Sequence, residues 1–135
     1  MEKLELSDYY DLLNLHKALM EAKFHDNPDN QHIAGSPIIA KIMNEIVDIL
    51  TAIDPCANDG DWKTWRKLAN HLNSKCEFEN NLWNKMVNKV SMDKLWNKYN
   101  KEKKIIVTKI YFSPFILADE EIEDFIHCVD NKHIK

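Results

Sequence analysis

Eighteen residues from Ser36 to Ile53 contain no glycine, open on Ser-Pro, and bring Ile38, Ile39, Ile42, Met43, Ile46, Val47, Ile49 and Leu50 back at three- and four-residue spacing. A strand is ordinarily shorter and alternates with period two, so this segment is predicted to be an α-helix. The Ser36 hydroxyl suits an N-cap, where it accepts a backbone N–H, and Pro37 suits the first helical position, where its missing donor leaves nothing unpaired. The apolar residues cover more than half the circumference, which predicts the central and most buried helix of the protein. Asp54-Pro55 closes it.

The rest of the chain follows the same period. Ser7 or Asp8 can cap a helix that runs to about Phe24 through Tyr9, Leu12, Leu13, His16, Leu19 and Met20, before the turn formers from His25 to Asn30. Trp62, Trp65, Leu68, Ala69 and Leu72 predict a third helix to about Asn73. A fourth starts near Glu77 with Phe78, Leu82, Trp83, Met86, Val87 and Val90, and Ser91 re-caps a fifth through Met92, Leu95, Trp96 and Tyr99. Lys104 to Phe112 is rich in β-branched and aromatic residues, but no second segment offers itself as a pairing strand. It is either a strand that pairs between subunits or a buried helix, and the unsatisfied ladder of an isolated strand favours the helix. Asp119-Glu120-Glu121 then opens a last helix through Ile122, Phe125, Ile126 and Val129. The expected architecture is all-α: a compact bundle of five or six helices, with one short strand at 104–112 as the remaining option. Ile42, Ile46, Leu50, Leu12, Trp65 and Phe125 are its expected core.

With 135 residues, the chain is long enough to bury a core as a single helical domain over 1–135. No long apolar run and no signal-peptide pattern is present, which predicts a cytoplasmic protein that makes no use of a membrane. Cys56, Cys76 and Cys128 form no CxxC pair and are read as reduced thiols. The net charge of −4 hides an asymmetry, since residues 1–60 carry −7, 61–110 carry +7 and 111–135 carry −4. These blocks either solvate the fold and attract one another or build a charged binding surface.

Chemical motifs are sparse. Two glycines leave no room for a phosphate loop or a dinucleotide fingerprint, and neither His-Glu-x-x-His nor Gly-x-Ser-x-Gly occurs. Asp124 with His127, and Glu21 with His25, lie one turn apart, but a di-metal bundle needs two Glu-x-x-His pairs and two further acids, so no metal or other cofactor is expected. His16, set among Leu12, Leu13 and Met20, reads as a hydrogen-bonded core histidine. The tryptophans share faces with aliphatic residues, and that together with a pI near 5.8 argues against nucleic-acid binding.

Two readings of function remain. In Arg66-Lys67-Leu68-Ala69-Asn70-His71 the single arginine of the chain precedes a histidine by five positions. This resembles the Arg-x4-His signature of the HEPN ribonucleases, all-helical proteins whose Arg and His meet at a cleft between two subunits. The resemblance covers six residues. It implies a homodimer in which Arg66 stabilises charge on the scissile phosphate and His71 acts as metal-independent general acid or base. Arg66 reads equally as a surface residue paired with Asp59 or Asp61. The other reading is a protein-binding domain, of the immunity or inhibitor type, with Asp8, Asp11, Glu120, Glu121, Glu123 and Asp124 forming an acidic surface. Such a surface suits a basic toxin or a nucleic-acid-binding effector as partner. The Asn-rich, Lys-over-Arg composition fits an AT-rich bacterial or phage gene. This reading is the one the composition favours.

Overall fold

The computed structural model describes residues 8–25, 33–53, 62–71 and 81–133, and these form helices and the segments that join them, with no strand among them. The α-helices are α1 (Tyr9–Phe24), α2 (Pro37–Ile53), α3 (Trp62–Arg66), α4 (Asn81–Ser91), α5 (Lys101–Phe112) and α6 (Asp119–His133), with short 3₁₀ turns at Leu68–His71 and Trp96–Lys98. The Asp8 carboxylate accepts the Tyr10 N–H at 2.8 Å to start α1, and Ser36 Oγ accepts the Ile39 N–H at 3.2 Å to start α2. Residues 26–32, 54–61 and 72–80, with Cys56 and Cys76, lie outside the described residues.

The β-prone segment is helical. Asn100 accepts the Lys103 N–H at 2.8 Å and opens α5, and the buried positions Val107, Thr108 and Phe112 recur at helical spacing. Thr108 remains tolerable inside because its hydroxyl donates to the Lys104 carbonyl at 2.8 Å. Packing against α4 and α6 overrides the β propensity of the isoleucines and valine.

Two expected helices are not continuous. The third stops at Arg66, because the backbone there pairs across to the α5–α6 connection: the Ile116 N–H donates to the Arg66 carbonyl at 2.7 Å and the Leu68 N–H to the Ile116 carbonyl at 2.9 Å. The fifth, through Met92 and Tyr99, is replaced by a turn built on Asp93. Its carboxylate accepts the Leu95 N–H at 2.9 Å and the Tyr99 hydroxyl at 3.0 Å, so Met92 and Leu95 point to solvent and Trp96 alone goes inside.

Two apolar clusters result. One gathers Leu68, Trp83, Met86, Val90, Trp96, Phe112, Ile122, Phe125 and Val129 from α4, α5, α6 and the turns beside them. The other gathers Leu12, Ile46, Val47, Leu50 and Trp62 between α1, α2 and α3. Trp65 packs against both while remaining partly exposed, so it is a bridge rather than the core residue expected. Ile42 faces solvent, and α2 is not the most buried helix: it exposes one whole side. Gly35 serves close approach, since a Cβ there would lie 2.7 Å from the Tyr111 hydroxyl.

Candidate functional site

Arg66 ends α3 facing inward and is held on three sides. Its Nε donates to the Pro114 carbonyl at 2.8 Å, Nη2 to Asn44 Oδ1 at 2.7 Å and Nη1 to Asp48 Oδ1 at 2.5 Å. The guanidinium therefore ties α2, α3 and the α5–α6 connection together, and its ion-pair partner is Asp48 on α2. Asp59 and Asp61 lie outside the described residues. His71, on the 3₁₀ turn, places Nε2 2.5 Å from the Trp65 carbonyl. A carbonyl only accepts, so Nε2 carries the proton. The ring packs tilted against Phe115 at 4.6 Å and edge-on to Trp65 at 5.5 Å between centroids. The break at Lys67 thus gives Arg66 and His71 different partners.

The six acidic residues divide between two places. Asp8 and Asp11 are exposed at the start of α1, and Asp8 is engaged as its cap. Glu120, Glu123 and Asp124 are exposed on α6, where Glu123 pairs with Lys101 at 2.8 Å. Glu121 is not part of an acidic surface. It is buried, and its carboxylate accepts the Ala118 N–H at 2.7 Å, the back-reaching half of a capping box. The start of α1, with Leu12, packs in the α1–α2–α3 cluster and the end of α1, with Met20 and Phe24, packs against the cluster of α6, so the two groups of carboxylates stand at the starts of two different helices.

Part of the basic centre is used inside the molecule, while Lys63, Lys67, Lys94, Lys98, Lys101, Lys103 and Lys109 are exposed. Lys85 Nζ donates to the Phe24 carbonyl at 2.6 Å, and Lys89 Nζ donates to the carbonyls of Lys23 and His25 at 3.1 and 2.9 Å. Cations on α4 therefore satisfy the open end of α1. Lys104 pairs with Asp130 at 2.9 Å, and Trp96 Nε1 donates to the same oxygen at 2.7 Å. Burial alone would raise the Asp130 carboxyl, but these two donors hold it below its ordinary value.

Two buried bases are absent from the sequence reading or differ from it. Lys23 is fully buried, and its Nζ donates to the carbonyls of Ile110 and Ser113 at 2.5 and 2.6 Å, at the end of α5. Burial, with nearby Lys89 adding repulsion, lowers its ammonium to about 7. His16 is buried edge-on to Trp62 and Trp65, with ring centroids 5.4 and 5.1 Å away. Among the described residues its Nδ1 has no hydrogen-bond partner, which corrects the expectation of a hydrogen-bonded core histidine. Burial, then Lys17, lowers its pKa to about 4, so the ring is neutral near pH 7. It lines an open cleft of about 600 Å³ with Lys17, Met20, Phe24, Trp65 and Lys85.

Among the described residues no group of three or more His, Cys, Asp or Glu gathers as a metal site, and no helix is long and apolar enough to cross a membrane. No family model, curated protein or solved structure matches the chain.

Proposed function

We propose that this protein is a binding module that covers a cationic partner protein, in the manner of immunity-type and inhibitor proteins. The observation that carries the reading is the pair of exposed acidic helix starts, with Asp11 in the first turn of α1 and Glu120 in the first turn of α6, while Arg66 and His71 are both engaged in holding the fold together. Exposed carboxylates raise the rate of encounter with a basic surface and orient it. A ribonuclease of the Arg-x4-His kind would need Arg66 to leave Asn44, Asp48 and Pro114, and His71 to leave Trp65.

The test uses the full chain, immobilised and exposed to a lysate of its source. A basic protein should be retained, and retention should weaken as salt is raised, because screening shortens the reach of the carboxylates. Asp11→Lys, Glu120→Lys and Glu123→Lys together, with Asp8→Asn to preserve the cap, should slow association about tenfold or more with little change in dissociation. Retention indifferent to salt and to these substitutions would remove the reading. Metal-independent cleavage of RNA, lost in His71→Ala, would put a nuclease in its place.

A further inference from the structure

The side of α2 that faces away from α1 and α3 carries four exposed isoleucines beside exposed Lys41, Glu45 and Asp48. Ile38, Ile42, Ile49 and Ile53 are 71%, 39%, 43% and 47% exposed, together about two whole isoleucines of bare surface. At about 100° per residue all four fall within a sector of roughly 60°, so they form one continuous stripe along the helix. Monomeric proteins scatter single apolar residues over their surface, but a stripe marks something that covers it.

The spacing says what kind of surface covers it. The intervals are four, seven and four residues, and they read the same from either end. If a second copy of α2 packs antiparallel about a two-fold axis between Glu45 and Ile46, Ile38 falls opposite Ile53 and Ile42 opposite Ile49 throughout. A closed two-fold interface demands this self-complementarity, since the same patch must serve both sides. A foreign partner imposes no such symmetry. The charges flanking the stripe agree. Lys41 and Asp48 are both exposed and lie on the same flank of it, and the two-fold brings Lys41 within about 3 Å, measured along the axis, of the second copy's Asp48. Asp48 is engaged with Arg66 through one oxygen, Oδ1, and its side chain remains 66% exposed.

We infer that the outward face of α2 is the interface of a two-fold homodimer in which two copies of this chain pack α2 against α2, antiparallel. The dimer goes beyond the cationic-partner reading and stands without it. The stripe is narrow beside the roughly 800 Å² per partner of a standard interface, so the dimer is a concentration-dependent one. One contact opposes it: the two-fold sets exposed Glu45 beside the second copy's Glu45, within about 1.5 Å along the axis.

That opposition makes the arrangement testable. Sedimentation velocity of the full chain from about 1 to 500 µM should show a monomer–dimer equilibrium, a range chosen for an interface smaller than standard. Ile42→Asp with Ile49→Asp should give monomer throughout with an unchanged circular dichroism spectrum, because neither side chain belongs to the described core. Glu45→Lys protein, mixed with the unaltered chain and labelled differently, should form mixed dimers well beyond the statistical half, since the introduced ammonium would then face the second copy's Glu45 across the axis. Monomer at every concentration, a dimer that survives the two aspartates, or mixed dimers at or below the statistical proportion would each overturn the inference.

Discussion

The two apolar clusters show two ways of using the same kind of helix. In the α4–α5–α6 cluster, supply and burial match: Trp83, Met86, Val90, Phe112, Phe125 and Val129 are all inside, and the opposite faces are polar, apart from Ile106 on α5. In the α1–α2 cluster supply exceeds burial, because α2 buries Met43, Ile46, Val47 and Leu50 and still has four isoleucines left on its other side. The difference teaches that apolar content sets how much surface a helix needs to cover, and not whether its own chain supplies the cover. Besides Trp65, which packs against both, two cationic side chains join the clusters. Lys23 reaches from α1 to the end of α5, and Arg66 reaches from α3 to the α5–α6 connection.

The largest effect is expected at the first of these joints. Lys23→Met keeps the stem and removes the donors, leaving the Ile110 and Ser113 carbonyls without their partner; we expect a loss of about 2–4 kcal/mol at pH 9 by urea denaturation. At that pH the amine is neutral in the fold while the unfolded chain still holds its proton, so methionine spares part of the cost of neutralising it, and the loss should grow as pH rises toward 10. The pH dependence has a definite sign. The folded value is lowered from 10.5 to about 7, so between these values the unfolded chain holds a proton that the folded chain does not, and stability rises with pH from about 7 to 10. Lys23→Met should flatten that rise. His16 acts in the same direction on the acid side, its contribution falling away as pH drops from 6.5 toward 4.

The second joint separates the clusters more selectively. Arg66→Ala leaves Asn44, Asp48 and the Pro114 carbonyl without their donor and should cost about 2 kcal/mol. It should also split the unfolding transition, so that, with Trp83 and Trp96 replaced by Phe in both proteins, fluorescence from Trp62 and Trp65 and helical ellipticity no longer coincide. Coincident transitions would mean that Trp65, which touches both clusters, couples them without the arginine. Ser36→Ala comes next at about 1 kcal/mol, because its Oγ satisfies one of the open N–H groups of α2.

These expectations also mark how far the sequence could be read. Helices whose ends are written in short-range chemistry were legible: Asp8 and Ser36 cap where expected, and α1 and α2 end within the predicted span. The interruptions were not, because each depends on a distant partner. Nothing near Lys67 announces that Ile116 will pair with its neighbours, and Asp93 looked like an ordinary residue of a fifth helix before Tyr99 folded back onto it. The Arg-x4-His spacing assumed the unbroken helix that this pairing interrupts. Lys23 was missed because a lysine among polar residues reads as exposed; its only signal was its place on the apolar side of α1, beside Leu19 and Met20. The acidic residues were legible as types and as the start of α6, but that start was read only as negative charge at a helix end, and the reach of Glu121 back to the Ala118 N–H takes it out of the surface.

The smallest expected effect bears most directly on the two faces of α2. Ile38→Gln removes an apolar residue that the sequence alone would place in the most buried helix, yet in the folded monomer that side chain is largely in water. Replacing it therefore leaves no cavity and strands no polar group, and its cost should stay within about 0.5 kcal/mol. Leu50→Ala, about three turns further along and fully buried, should cost about 2–5 kcal/mol, since the lost contacts leave a void between α1 and α2. The comparison must be made near 1 µM protein, roughly below the range where a pair held by so narrow a stripe assembles, because a dimer would lend Ile38 a second chain's contacts. Denaturation midpoints that separate the two substitutions at low concentration, and converge as concentration rises, would mean that α2 folds on its inner face and associates on its outer one. A large loss from Ile38→Gln in the dilute monomer would instead place that isoleucine inside the fold of a single chain.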